Sequence, residues 1–433
     1  ANDDGSWTFT PSKDWNGEVE FNYGIAEIKL NGGYTDPEKP KEEGQAEIQA
    51  TNAGRGFSID NQLFIPVTRE GKAFLLKTDL NGNTIWEKEI GSGEATRAKQ
   101  DSKGNIYFIS GTFETGSRIS KLDIDGNILW STKPNTSGGD WYTDLEILGT
   151  NIYAVGGTTQ AGRFNSARRA KVLNLDTSGQ QIFSKTYDIE GAGSFRSVTT
   201  DGKDLYLSAT PYGRRDFDSA IAAKLDGSNI ARVIWHNRIG RDWNSEGDGT
   251  IFGDYFVSNG YKADGGDRQD NRIIYRDIKT GKVVHDKSWG DGNSQTLHGL
   301  TVKDGRLFGT GIDGIPWNSS NTKGGFAVVY EFDKDANIID TIKLDVTNDL
   351  DNPQDIISTD NGYVITGVTK GFKTHDSSLF TNYRQLTKPP SEPPTTSVKT
   401  SASLSVNQVN DGPELTGTQA VLVKGKEDTA YII

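Results

Sequence analysis

The chain has 433 residues, of which 33% are hydrophobic and 51 are glycine, so it can bury a sizeable core and is not mainly disordered. Its 47 basic and 59 acidic residues give a net charge of −12, which argues against a nucleic-acid-binding surface and against docking on anionic lipid. Cysteine is absent, which excludes disulfides, thiolate metal sites and a cysteine nucleophile. No apolar run approaches the roughly 18 residues that span a bilayer, so no membrane insertion is expected. Methionine is also absent, so we expect a fragment or a processed product.

A short apolar strand recurs seven times along the chain. Its copies, such as Leu63–Val67 and Ile106–Ser110, begin at positions 63, 106, 152, 205, 255, 307 and 363. A repeat of roughly 40–55 residues with four strands in each unit is typical of a β-propeller blade. The sequence therefore predicts an all-β fold built around a seven-bladed β-propeller.

Each repeat follows the same plan of four short strands. A tight turn joins the third strand to the fourth, as in Asp79–Asn83 and Asp123–Asn127, and Asn-Gly or Asp-Gly supplies the positive φ of such a turn. These turns lack the Glu at position twelve of an EF-hand, so we interpret them as plain hairpin turns. The fourth strand often carries a tryptophan that we expect to pack between neighbouring sheets, and these are Trp86, Trp130, Trp235 and Trp289.

The seventh repeat lacks a fourth strand of its own. Its third strand contains Phe380 and Tyr383, and the proline-rich stretch 389–394 follows soon after. A spare strand, Ala46–Ala50, lies just before the first repeat. We expect this strand to close the seventh blade, because a closed ring removes the open sheet edges that invite aggregation.

The two ends of the chain read differently from the repeats. Segments 5–11 and 14–23 resemble the later strands of cadherin-like repeats in giant bacterial surface adhesins. Segments 402–406 and 409–415 resemble the final strand and the linker of the same family, and 426–431 resembles the first strand of a following repeat. The fourth-strand pattern Asp-x-x-Gly-Asn-x-x-Trp also resembles the docking motif of quinoprotein-type propellers, from which only the fold is carried over, without a quinone cofactor.

The order of these motifs implies an insertion. In cadherin-like repeats the strand that ends in Phe-x-Tyr is followed directly by the last strand, whereas here the propeller lies between them, which predicts that Val19–Tyr23 pairs antiparallel with Ala402–Val406. The propeller would then occupy one hairpin loop of a cadherin-like (Ig-like) β-sandwich. The predicted segments are 1–30 (later sandwich strands), 44–388 (propeller), 389–397 (proline-rich linker), 398–411 (final strand of the same sandwich) and 412–433 (start of the next cadherin-like repeat).

Ligand-binding residues are expected on one face of the propeller. The loops between second and third strands, and the links from one blade to the next, emerge on this side, here called the loop face. Exposed aromatic side chains with polar neighbours can stack on sugars and are typical of protein-binding hot spots. The candidate residues are Trp141, Tyr142, Tyr212, Arg214, Trp243, His298 and Trp317. The alternative, that the long loops pack on each other, stays open.

A local group of arginines stands out in this acidic chain, and it comprises Arg163, Arg168, Arg169, Arg214 and Arg215. Because these residues belong to adjacent blades, an acidic glycan or another carboxylate is one candidate partner. Pairing with Asp216 and Asp218 is the other interpretation. Of the four histidines, His236 and His285 fall in or beside fourth strands, while His298 and His375 are placed in loops.

Calcium is the ion that the cadherin-like resemblance implies. Such repeats hold calcium with Asn and Asp of a linker and an early-strand Glu, and hard oxygen ligands suit this ion. The matching positions are Asn410, Asp411 and Glu427, with Asp428 beside them. Glu427 would serve the linker after the next repeat, which lies beyond this sequence.

Motifs of catalysis do not stand out. The sequence has no Gly-x-Ser-x-Gly elbow, no phosphate-binding loop and no HExxH, so no catalytic residue is assigned. We therefore expect a non-enzymatic segment of a large secreted or cell-surface bacterial protein, extracellular and active in adhesion or surface-layer architecture. Its expected partners are a glycan or protein at the cell surface and further cadherin-like repeats. A secreted carbohydrate-active enzyme and a ligand-free structural spacer are the alternatives.

Overall fold

A computed structural model describes the backbone of residues 17–22, 48–112, 115–134, 139–159, 168–211, 220–240, 244–263, 269–290, 293–315, 325–344, 350–369, 377–386, 401–407, 414–415, 421–423 and 430–432. The chain divides into two compact units, one formed by Ala1–Asp36 with Leu386–Ile433 and the other by Pro37–Gln385. Among the described residues, no helix is long and apolar enough to cross a membrane.

The first half of the described chain holds β1 (Gly17–Asn22), β2 (Asn52–Ala53), β3 (Phe57–Ile59), β4 (Gln62–Arg69), β5 (Lys72–Asp79), β6 (Thr84–Ser92), β7 (Glu94–Gln100), β8 (Ile106–Thr112), β9 (Gly116–Leu122), β10 (Ile128–Thr132), β11 (Asp140–Leu148), β12 (Asn151–Thr159), β13 (Arg168–Asp176), β14 (Gln181–Tyr187), β15 (Ala192–Thr200), β16 (Leu205–Pro211), β17 (Ala220–Asp226) and β18 (Asn229–Ile239). The second half holds β19 (Asn244–Phe252), β20 (Tyr255–Ala263), β21 (Gln269–Asp277), β22 (Val283–Trp289), β23 (Ser294–Lys303), β24 (Arg306–Ile315), β25 (Phe326–Phe332), β26 (Ile338–Leu344), β27 (Asn352–Thr359), β28 (Gly362–Val368), β29 (Leu379–Gln385), β30 (Ser401–Asn407), β31 (Glu414–Leu415), β32 (Val421–Val423) and β33 (Ala430–Ile432).

The larger unit is a seven-bladed β-propeller, as the sequence predicts. Five blades are antiparallel sheets of four consecutive strands, beginning with β7, β11, β15, β19 and β23. In the first blade β2 and β3 both pair with β4, and the last blade contains β27, β28 and β29. The first strand of each blade, here called the inner strand, packs against the inner strands of the blades on either side. The contact of β3 with both β7 and β27 closes this ring.

Burial of the strands follows their position within a blade. The second and third strands are buried almost continuously, as in Ile106–Ser110, because both faces of the sheet lie against neighbouring blades. Such two-sided burial selects unbroken apolar runs rather than alternation. The fourth strands are mostly exposed, as β6 and β26 illustrate. The recurring apolar strand of the sequence is therefore the second strand of each blade.

Tryptophans of the fourth strands join neighbouring blades, as predicted. The Trp130 indole nitrogen donates a hydrogen bond to the Thr177 carbonyl of the next blade at 3.0 Å. The ring lies so close to Gly179, which has φ +85°, that an added Cβ would be 2.9 Å from it. Trp235 makes the same contacts with Ile278 and Gly281. Glycine in these hairpin turns thus allows the positive φ and leaves space for the indole ring of the neighbouring blade.

In several hairpin turns an aspartate side chain accepts hydrogen bonds from backbone amides of the same turn. In the turn after β5, the Asp79 carboxylate accepts hydrogen bonds from the backbone amides of Asn81 and Asn83 at 2.9 and 2.8 Å. Asp123 and Asp333 repeat this arrangement in other blades. These are Asx-type hairpin turns, the geometry that the plain-turn interpretation predicts.

The last blade gains its fourth position from residues before the first blade. Gln49 forms an antiparallel bridge with Ser378. The Ala50 amide donates to the Ser377 carbonyl at 3.0 Å, and the Leu379 amide donates to the Ile48 carbonyl at 2.8 Å. The ring therefore closes as predicted, because Leu379 begins β29, the strand that contains Phe380 and Tyr383. Residues 46 and 47 lie outside the described part.

The smaller unit contains strands from both ends of the sequence. β1 pairs antiparallel with β30, with Gly17 opposite Val406 and Asn22 opposite Ser401. This register confirms the predicted pairing of the two ends over the residues that the structure describes. β30 also pairs with β31, and β32 pairs with β33.

Candidate functional site

β-Bulges interrupt the inner strands at equivalent positions in six blades. The register shifts between Ala95 and Arg97 in β7, and between Phe195 and Ser197 in β15. A bulge places one extra residue opposite its partner strand and redirects side chains locally. The residues within the six shifts include Thr96, Thr143, Arg196, Gly247, His298 and Gln354.

All six of these residues line a cavity of about 500 Å³ enclosed by the inner strands, here called the axial cavity. Its wall also includes the ends of second strands, through Thr112 of β8 and Tyr261 of β20. Because the second strands end where the loops to the third strands begin, the axial cavity lies at the predicted loop face. Its volume falls within the range typical of small-molecule sites.

A group of charged side chains from different blades lies beside the cavity. The Arg55 guanidinium is 2.9 Å from a carboxylate oxygen of Asp248 and 3.4 Å from one of Asp144. Arg97 Nε is 3.0 Å from Asp144 Oδ1, an ion pair by distance although the atoms are not aligned as a hydrogen bond. Burial lowers the pKa of Arg55, but the charges of Asp248 and Asp144 outweigh this effect and raise the pKa above its ordinary value. Arg55 thus links the first blade to the third and the fifth.

Three aspartates at equivalent inner-strand positions, here called the aspartate clamps, hold neighbouring blades together, each accepting a backbone hydrogen bond of 2.9 Å from the next blade. The pairs are Asp144 with the Val198 amide, Asp248 with the Leu300 amide, and Asp355 with the Gly56 amide. Burial raises the pKa of Asp355 to about 6, with Asp248 adding to the effect and Arg97 and Arg55 opposing it. The clamps tie blade three to four, five to six, and seven to one.

Arg196 differs from Arg55 and Arg97. Its side chain is exposed to the axial cavity. Within the described part of the chain it has no hydrogen-bond or ion-pair partner. Enclosure by the propeller and the like charge of Arg55 lower the pKa of this guanidinium, and Tyr261 partly opposes them. The cavity therefore contains a cation whose charge no described acidic side chain balances by direct contact.

His298 is a half-buried member of the cavity wall. Its Nδ1 lies within hydrogen-bond distance of the Pro353 carbonyl. A carbonyl can only accept, so Nδ1 carries the proton and Nε2 is an acceptor. Burial, and to a lesser degree Arg55, lower the pKa of His298, which keeps the ring neutral near pH 7. The sequence-based placement of His298 in a loop is wrong, because the residue lies at the bulge of β23.

Two predicted aromatic residues also reach the cavity. Trp141 is half-buried, with its ring against Gly157 and the Arg168 guanidinium 5.6 Å from the ring centroid. Tyr142 is only 2% exposed and belongs to the core between blades. Burial raises the pKa of the Tyr142 hydroxyl, and Asp140 adds to the effect. Trp141 thus offers partial aromatic surface to a ligand, while Tyr142 mainly shapes the wall.

The structure therefore brings three of the seven predicted ligand-binding residues, Trp141, Tyr142 and His298, to one cavity. The other four predicted positions lie outside the described residues, and they are Tyr212, Arg214, Trp243 and Trp317. The predicted calcium ligands also lie outside them, and these are Asn410, Asp411, Glu427 and Asp428. In the described ranges, no group of three or more His, Cys, Asp or Glu side chains is arranged to hold a metal ion.

Sequence reasoning did not single out Arg55, Arg196, Tyr261 or Gln354. One available signal was the alignment of the repeats by their second strands. This alignment places charged residues such as Arg97, Asp144 and Arg196 inside otherwise small or apolar inner strands. An inner strand has one edge on the propeller axis, so charges within it are candidates for the axial cavity.

Comparisons with known proteins support the fold and one terminal resemblance. A family model described as a cadherin-like domain matches residues 1–32. Hydrazine synthase of Kuenenia stuttgartiensis matches with a TM-score of 0.55 and 14% identity, covering 79% of this chain and 98% of that one. The WD40 β-propeller domain of Doa1 matches with a TM-score of 0.48 and 12% identity, covering 78% and 95%. No curated protein sequence matches the chain. At these identities the structural matches concern the fold alone.

Proposed function

We propose that the chain is a non-enzymatic segment of a large secreted or cell-surface bacterial protein and that its propeller binds a glycan or protein at the axial cavity. The observation that carries this proposal is the cavity itself. It opens among seven inner strands, is lined by Trp141, Arg196 and Tyr261, and has the volume of a small-ligand site. Adhesion or surface-layer architecture is the role that such a module would serve.

The burial and the hydrogen bonds of the aspartate clamps favour binding over catalysis. A general acid or base must reach the proton that it transfers. The aspartate clamps are between 2% and 8% exposed and are engaged with backbone amides of the next blade. Their arrangement suits the holding of blades rather than proton transfer to a substrate. A secreted carbohydrate-active enzyme is the second candidate, and it would require a carboxylate on the loop face.

The two ends of the chain support a place within a cadherin-like surface protein. The family match covers residues 1–32, and β1 within that range pairs with β30 near the other end. Insertion of the propeller into one hairpin of a cadherin-like sandwich accounts for both facts. The partners in this arrangement would be further cadherin-like repeats of the same polypeptide or a neighbouring copy.

Calcium belongs to the same proposal. Asn410 and Asp411 would serve one linker, and Glu427 with Asp428 beside it the following one. Their carboxylate and amide oxygens are the ligands that this ion prefers. Its role would be to stiffen the connection between sandwich repeats, apart from the ligand site of the propeller.

A glycan array probed with the full 433-residue chain tests the binding function. Gln354 lines the cavity, is half-buried and has no described side-chain partner, so Gln354→Trp fills the space without breaking a contact. We expect the variant to fold and to lose binding. Gln181→Trp, at an exposed position at the start of β14, is the matched control and should bind as the parent does. Absence of any glycan or protein ligand, or equal binding by Gln354→Trp, would contradict the proposal.

A further inference from the structure

We propose that the axial cavity recognises the carboxylate of an acidic sugar, with Arg196 as the residue that binds the carboxylate. This inference rests on the proposed function and names the class of ligand for the same site. Its starting point is Arg196, which lines the cavity, is exposed and has no hydrogen-bond or ion-pair partner among the described residues.

The contrast with other arginines of the propeller carries the argument. Arg55 is paired with Asp144 and Asp248. Arg272 pairs with Asp286 through two hydrogen bonds of 2.7 Å. Burial of a cation is costly unless its charge is compensated, so the propeller pairs the largely buried Arg55 and Arg272 with its own aspartates. Arg196 is exposed at the cavity, so water can solvate its charge and the carboxylate of a ligand can reach it. A carboxylate suits this position because it can accept two parallel hydrogen bonds from the planar guanidinium.

The remaining wall suits a sugar ring better than an extended peptide. Hydroxyl and amide groups of Thr96, Thr143 and Gln354 lie around the cavity, and Trp141 and Tyr261 add aromatic surface. The Thr143 hydroxyl donates to the Phe195 carbonyl at 2.9 Å, so its oxygen can still accept a hydrogen bond. Neutral His298 presents Nε2 as a further acceptor. A sugar with several hydroxyls and one carboxylate would require hydrogen-bond acceptors for the hydroxyls and a cation for the carboxylate, and this wall offers both.

The test measures binding of glucuronate, glucose and acetate to the full chain by calorimetry. We expect glucuronate to bind at least about tenfold more tightly than glucose, since a hydrogen bond between charged groups contributes on this order. Arg196→Gln should weaken glucuronate binding by about ten- to hundredfold, and Arg196→Lys should recover part of it. Arg232→Gln is the matched control, because Arg232 is exposed beside Asp226 at the hairpin end of β18, and it should bind glucuronate unchanged.

The thermal midpoint without ligand serves as the folding control. Because Arg196 makes no described hydrogen bond or ion pair and carries the same charge as Arg55, Arg196→Gln should unfold at the parent temperature or slightly above it. Glucuronate should raise the midpoint of the parent and not that of the variant. Equal affinity for glucose and glucuronate, or unchanged glucuronate binding by Arg196→Gln, would overturn the inference.

Two further outcomes separate this inference from the proposed function. If acetate binds as tightly as glucuronate, the sugar part is wrong and a bare carboxylate, such as that of an acidic peptide, is the ligand. If Gln354→Trp abolishes binding of a ligand that Arg196→Gln leaves unaffected, the cavity is the site and Arg196 is not its anchor. The proposed function then stands without this inference.

Discussion

Asp355 occupies the point where the seventh blade meets the first. Its carboxylate accepts the Gly56 amide, and the charges that face it are Arg97, Asp248 and Arg55. Burial raises its pKa from 3.8 to about 6. The folded protein therefore holds this proton more tightly than the unfolded chain does. The resulting contribution to stability is complete below about pH 4 and is lost as the pH rises through 6.

We expect the stability of the parent to fall, relative to that of Asp355→Asn, as the pH rises. Between pH 4 and pH 8 the free energy of unfolding of the parent should decrease, relative to the variant, by up to about 3 kcal/mol, from a pKa difference of about two units. Denaturant titrations at several pH values measure this difference. Asp360→Asn, which removes an exposed carboxylate from the nearby turn, should show no such trend. A difference between parent and Asp355→Asn that does not change with pH would contradict the prediction.

Side chains at the axis illustrate what sequence reasoning could not supply. A pattern of apolar residues indicates that a strand forms, but a bulge depends on the twist and register of the finished sheet. Arg196 and His298 lie at such bulges, so their shared cavity follows from three-dimensional packing. The partners of Arg55 likewise come from blades about 90 and 190 residues further along the chain, a spacing set by the closure of the ring.

At the scale of elements, the segment before the first blade closes the ring by pairing with the last blade. Within the described part of the chain, Ile48–Ala50 occupy the fourth position of the last blade through the hydrogen bonds of Ala50 and Leu379. The buried side chain of Ala50 packs in the cluster that joins the first and last blades. The backbone amide and the side chain of Ala50 thus both contribute to closure of the ring.

Replacement of Ala50 by proline tests this closure. The variant removes the amide that donates to Ser377, and a lost buried hydrogen bond costs about 1–3 kcal/mol. We expect a lower free energy of unfolding and faster proteolysis near residue 48. Gln49→Pro is the matched control, because the exposed Gln49 has no described backbone acceptor for its amide and should change stability little. Equal stability of the two variants would show that this pairing does not hold the ring closed.

Strand positions and turns were predictable because their signals are local. The seven apolar runs and the Asp-Gly or Asn-Gly turns each report on a few adjacent residues. The spare strand before the first blade was predictable by counting strands. The register of this strand, with Gln49 opposite Ser378, was not predictable, since the side-chain pattern of so short a segment specifies register weakly.

For the whole molecule, the calcium prediction awaits a direct measurement. If Asn410 and Asp411 hold calcium at one linker, and Glu427 and Asp428 at the following one, calcium should raise the melting temperature of a chain extended by complete flanking cadherin-like repeats, by mass action on the folded state. The melting temperature is measured with and without a chelator. Substitution of Asp411 by Asn should reduce the calcium effect, whereas Asp360→Asn in the propeller should not. An unchanged melting temperature on chelation would contradict the prediction.

The pairing of β1 with β30 determines how the chain would carry mechanical load. Gly17 lies opposite Val406 at one end of the pair, and Asn22 lies opposite Ser401 at the other. A pull on the two chain ends opens such a pair like a zipper, beginning at Gly17 and Val406. The residues between Asn22 and Ser401, which include the entire propeller, carry no tension until the last of these pairs has separated. In a surface protein under shear, β1 and β30 would separate before the propeller is stretched, so the axial cavity would keep its shape until then.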